Sequence, residues 1–158
     1  MTRQETTAEP NIEEILSRLD GAKASLVEAL EQAGDADFNR DHGDGESLKH
    51  SLDRTVDELN FYYGRLTARA LNLPQPPCLT RSDVGSLREG TMAIQVAHRR
   101  FTNLLHDLAP DDLAKVAADD ELGSYTLQQV LELAIAQYTM RAHQVRRLAG
   151  TAPGQPKA

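Results

Sequence analysis

Arg141 is the residue whose type and place most demand a chemical reason. It lies in the stretch "LQQVLELAIAQYTMRAHQVRRL", where Leu127, Leu131, Ala134, Tyr138 and Val145 recur at helical spacing. At about 100° per residue, Arg141 falls inside that apolar arc and Gln137 on its border. His143, a more usual ligand, points to the far side. A guanidinium keeps its charge inside a protein, so burying it requires partners or water. Three arrangements meet that need. The stem covers apolar surface while the head reaches solvent; the residue sits in a subunit interface; or a small polar pocket uses it to grip a carboxylate or phosphate.

The same angular bookkeeping sorts the other polar groups. Thr55 and Tyr62 fall within the arc of Leu48, Leu52, Leu59 and Leu66, whereas His50 points away. His98 lies near the centre of the arc of Leu87, Ile94, Phe101 and Leu105, with His106 at its edge. The candidate interior pocket is therefore Thr55, Tyr62, His98, Gln137 and Arg141. His98 either hydrogen-bonds a neighbour or moves a proton, and the second role needs a substrate within hydrogen-bond reach. Tyr62 and Tyr63 in "NFYYGRL" are core or interface aromatics before they are catalysts. No residue is assigned a catalytic role. Cys78 is the single cysteine, which excludes an intrachain disulfide or a Cys-rich zinc site; after "PQPP" it is expected to be an inert thiol.

Helices must position these groups. The first is expected over about Ile12–Gln32, capped by Asn11 with Glu14 three residues on. "GDADFNRDHGDGES" breaks the pattern, and a second helix follows from about Leu48 to Leu71 until "NLPQPPCLT" stops it. A third is expected from near Ser82 to "LAP", weakened early by Gly85 and Gly90. "PDDLAKV" fits a short helix with Pro110 at its first position. Thr126 and Gln129 form a capping box at the head of the last helix. No stretch alternates with period two, so no strand is expected. The prediction is an all-α chain, a four-helix bundle over residues 11–149, with disordered tails at 1–10 and 150–158.

At 158 residues the chain is one domain, 40% apolar and 26% charged. Its formal charge of -7 argues against nucleic-acid or anionic-membrane surfaces, which need clustered cations. No apolar run has spanning length, and "MTRQETTAEP" lacks a signal peptide's apolar core, so a cytoplasmic protein is expected. The acidic stretches "GDADFNRDHGDGE" and "PDDLAKVAADDE" lack the ligand spacing of an EF-hand and are expected to be solvated loops.

"ESLKHSLDRTVDELNFYYGRL", "IQVAHRRFTNLL" and "ELGSYTLQQVLELAIAQYTMRAHQVRRL" together resemble the DinB/YfiT-like superfamily over Ile12–Leu148. The resemblance implies a four-helix bundle, often a homodimer. Many members hold a divalent metal on three inward histidines, one from helix two and two, four residues apart, from the last helix. Relatives with that centre include transferases and isomerases that use bacillithiol or mycothiol. Registering "DELNFYYGRL" and "HQVRRL" on the family pattern puts the three ligand positions on Thr55, Gln137 and Arg141. None offers an imidazole, and a guanidinium repels a cation. No metal or other cofactor is therefore expected.

Three functions follow. The first is a metal-free DinB-like module that binds a small anion in the bundle interior. The second is a thiol-dependent transferase or isomerase working through His98 and Arg141 without metal. The third is a dimeric interaction protein with a merely packed interior and aromatics such as Phe61 and Tyr63 at its partner surface.

Overall fold

In a computed structural model, residues 11–40, 47–74 and 79–149 are described below. Cys78, the outer tails and the centre of the first acidic loop lie outside them. The fold is mostly helical, with one small sheet. Helix α1 spans Ile12–Gln32, a single turn α2 Asp35–Phe38, and α3 Leu48–Glu58. A π-helical turn, Leu59–Tyr63, joins α3 directly to α4, Gly64–Leu71. Helix α5 spans Leu87–Asn103, and a 3₁₀ turn covers Pro110–Ala114. Strands β1, Val116–Asp119, and β2, Gly123–Thr126, lead into α6, Leu127–Leu148.

Local chemistry sets most of the boundaries. Asn11 caps α1 by accepting the Glu14 N–H at 3.1 Å, and Ser47 caps α3 by accepting that of His50 at 3.1 Å. Thr126 and Gln129 exchange hydrogen bonds of 3.1 and 2.9 Å at the start of α6. Helix α4 stops at Asn72, whose left-handed backbone lets Leu73 N–H reach Ala68 O at 2.8 Å.

Two expectations need correction. Helix α5 starts at Leu87, capped by Ser86, and not near Ser82, and it ends at Asn103, short of "LAP". The segment before it is tied to α3: Asp53 accepts the Val84 N–H at 2.9 Å and Asp57 that of Ser82 at 2.8 Å. Those N–H groups are held against α3 by carboxylates, and Lys49 bridges Asp53 to Val84 O. The second correction is the β-hairpin, since no strand was expected and "PDDLAKVAADDE" was expected to be a solvated loop, yet it carries β1 and the buried Asp119. Its strands have four residues each, and β1 ("VAAD") has little β-propensity. They pair antiparallel from Val116 with Thr126 to Asp119 with Gly123. What holds the hairpin is a side chain, Asp119, through contacts that only the folded chain provides.

The core lies between α1, α3, α5 and α6, with α1 packed along α6 and α3 against both α5 and α6. Leu19, Leu26, Leu30, Leu52, Ile94, Phe101, Leu105 and Leu131 are all but fully buried in it. Each such side chain contributes about 1.5–3 kcal/mol of apolar burial. Gly90 on α5 lets Leu52 approach within the space a Cβ would need. Among the described residues, no helix is long and apolar enough to cross a membrane.

Candidate functional site

Arg141 is 5% exposed, and α6 turns it toward α3. Its Nη2 donates to Glu58 Oε2 at 3.1 Å, and its Nη1 donates to Gln144 Oε1 at 2.9 Å. Gln144 also accepts the Ser51 hydroxyl at 3.1 Å, which fastens α6 to α3. The remaining donor of interest, Arg141 Nε, is buried without a hydrogen-bond partner among the described residues. Leaving such a donor unpaired costs about 1–3 kcal/mol.

The other candidates divide into two groups. Thr55, Gln137 and Tyr138 border a cavity of about 10 Å³ together with Glu58, Tyr63 and Arg141, enough for one water molecule at most. The Thr55 hydroxyl donates to Ser51 O of its own helix at 2.8 Å. Gln137 lines the same cavity as Tyr63. Glu58, Tyr63 and Gln137 also floor an outer groove of about 500 Å³ walled by Tyr62, Leu133, Ala136 and Met140. This groove opens beside the buried guanidinium, with Glu58 at the junction.

Tyr62, expected inside, stands at the groove wall instead, and Tyr63, expected either in the core or at an interface, is packed in the core. The π turn accommodates one extra residue within the helix at this point. Gly64 follows because a Cβ there would lie 2.7 Å from Leu59 O. Burial pushes the Tyr62 hydroxyl up to about 12, assisted by Tyr125; Tyr63 is pushed up further by the same cause. Both are neutral phenols at physiological pH. Phe61 is half-buried beneath Arg81, whose guanidinium lies 4.6 Å above its ring.

His98 belongs to a separate cluster. Its Nε2 is 3.0 Å from Asp20 Oδ1, and its Nδ1 is 2.7 Å from the Tyr138 hydroxyl. Burial lowers the His98 pKa against the opposing pull of Asp20, so the ring is neutral at pH 7. A carboxylate can only accept, so the proton sits on Nε2, and Nδ1 accepts the Tyr138 O–H. Both ring nitrogens are thus engaged within the protein, and His98 lines neither the cavity at Arg141 nor the groove outside it. The geometry orients the imidazole and ties α5 to α1 and α6.

Thr55, Gln137 and Arg141 do not suit a divalent cation. The Thr55 oxygen already serves its own helix, and Arg141 brings a positive charge to the same point. Among the described residues, no group of three or more His, Cys, Asp or Glu is placed to hold a metal ion. His50 and His143 are exposed.

Sequence reasoning missed Glu58, Gln144, Asp20 and the π turn. Glu58 carries a helical signal, three residues after Thr55, but nothing local marks it as the partner of a residue 83 positions away. No family model matches the chain, nor does any curated protein or solved structure.

Proposed function

We propose that this chain is a DinB-like four-helix bundle that recognises a small organic anion with Arg141, standing where relatives hold a metal. In this reading it is a binding module and works as a cytoplasmic homodimer, as the resemblance implies. The observation that carries it is a nearly buried cation with an unpartnered Nε, set beside a groove of about 500 Å³. A buried ion pair is weak support for stability, since apolar replacements of similar volume are often as stable. Recognition gives such a charge a purpose that packing does not. Tyr62, Leu133 and Met140 supply apolar walls for the ligand's body.

The test is isothermal titration of the parent and of Arg141→Met with benzoate, an aryl carboxylate of a size the groove accepts. Saturable binding by the parent and none by a folded Arg141→Met protein is expected. Equal binding by both would end the reading.

A second reading, acid–base catalysis without metal, draws on the Asp20–His98–Tyr138 chain. It requires a thiol-dependent transferase or isomerase activity that disappears in His98→Gln. Turnover retained in that variant would eliminate it.

A further inference from the structure

We infer that Glu58 is a built-in competitor at this anion site: a ligand carboxylate enters by displacing Glu58 from Arg141, and Glu58 turns to Arg54. The inference rests on the anion reading above and concerns how the site is held closed.

The guanidinium fork is half used. Its Nε–H and Nη2–H run parallel on one edge and together match the two oxygens of a single carboxylate. Glu58 takes only Nη2, at 3.1 Å, and Nε has no partner among the described residues. Gln144 holds Nη1 on the other side at 2.9 Å, which fixes the guanidinium plane whichever anion occupies the fork.

Glu58 is the partner able to leave. Its side chain is 21% exposed, and it borders both the inner cavity and the outer groove. Its Oε2 already lies 3.6 Å from Nη2 of Arg54, one helical turn back on α3 and 56% exposed. Exchange therefore trades one carboxylate for another without leaving the buried cation bare, the state that is most unfavourable. The groove sets the rest of the ligand. Walls of Tyr62, Leu133 and Met140 fit an aryl or branched alkyl carboxylate and give a hydrated inorganic anion nothing to bury against.

The experiment is titration calorimetry of the parent, Glu58→Gln and Arg54→Gln with benzoate, and with inorganic phosphate for comparison. Removing the competing charge is expected to tighten benzoate about tenfold. Removing the displaced carboxylate's berth is expected to weaken it severalfold, and phosphate is expected to bind more weakly than benzoate throughout. Benzoate binding to Glu58→Gln alone, with none to the parent, also supports the exchange. Benzoate bound by the parent with unchanged affinity in both variants overturns it and leaves the anion reading standing. No binding by the parent or by Glu58→Gln removes both. Should Glu58→Gln fail to fold, Arg54→Gln decides, because an affinity equal to the parent's contradicts the exchange. Phosphate binding tighter than benzoate overturns the assigned ligand class.

Discussion

Arg65 donates to Asp119 at 2.7 Å, joining α4 to the end of β1 through a carboxylate whose side chain is fully buried. Arg69 reaches the same oxygen at 3.0 Å, while the other oxygen accepts the N–H groups of Glu121 and Leu122. One side chain thus closes the hairpin turn and docks the hairpin on the helix. Loops that connect helices seldom keep a fixed path without such anchors.

Replacing Asp119 by Asn tests that anchor. Burial alone would raise the carboxyl's pKa, but the two backbone donors and Arg65 outweigh it and hold it below the ordinary value. A depressed folded-state pKa contributes stability above the unfolded pKa, and this is lost as pH falls through the folded value. Asp119→Asn is therefore expected to lower the thermal midpoint at pH 7, with the gap from the parent closing in strong acid. Midpoints by circular dichroism between pH 7 and pH 2 measure it; a gap that stays constant would deny the charge its role.

Gly64 tests the π turn. An added Cβ meets the Leu59 carbonyl at 2.7 Å, a backbone atom that cannot move aside cheaply. Gly64→Ala is expected to destabilise by about 1–3 kcal/mol, despite alanine's better helix propensity. Gly21, exposed on α1 with nothing near its Cβ position, is the control. Gly21→Ala is expected to stabilise by about 0.5–1 kcal/mol. Urea melts of the two variants should move in opposite directions, and a stabilised Gly64→Ala would mean that the helix is regular there.

His98 makes acid stability asymmetric. Its pKa is lowered from 6.5, chiefly by burial, so below that pH the unfolded chain takes up a proton that the folded one resists. Stability is then lost as pH falls from about 6.5 toward the folded value, and no such loss occurs above it. The midpoint of the parent is expected to drop between pH 7 and pH 5 more steeply than that of His98→Gln. The variant should also be less stable at pH 7, because the contacts at 2.7 and 3.0 Å are disturbed. Parallel pH profiles for the two proteins would show that His98 does not titrate in this window.

Much of the helical frame was legible because its signals are local. Asn11 and Thr126 mark helix starts through bonds spanning three residues, and periodicity carries Leu19, Leu52, Ile94 and Leu131 to the core. Arg141 is inside for the same reason. The rest depends on distant partners. Asp57 and Asp53 hold the segment before α5 from 25 and 31 residues away, and Asp119 does the same for the hairpin through Arg65 and Arg69 of α4. The π turn has no sequence signature of its own, and there Tyr62 stands at the groove wall while Tyr63 packs in the core. The candidate site was legible as a set of inward positions. Its electrostatics were not, because Glu58 comes from another helix.

That partnership gives the last prediction, in which the two halves of one ion pair differ in what they leave behind. Glu58→Met strands a guanidinium that is almost wholly buried, and breaking a buried pair from that side destabilises by about 3–5 kcal/mol. Arg141→Met strands a carboxylate that is partly exposed and lies 3.6 Å from Arg54, so a loss of about 1–2 kcal/mol is expected. Methionine at both positions leaves no charge without a partner, and the double variant should recover much of the larger loss. The interaction energy from this double-mutant cycle is expected to be about 3 kcal/mol, at the upper end of the range for residues in contact. Denaturant melts of the four proteins supply every corner of the cycle. Additive losses would mean that Glu58 and Arg141 act independently and that Glu58 does not guard the cation.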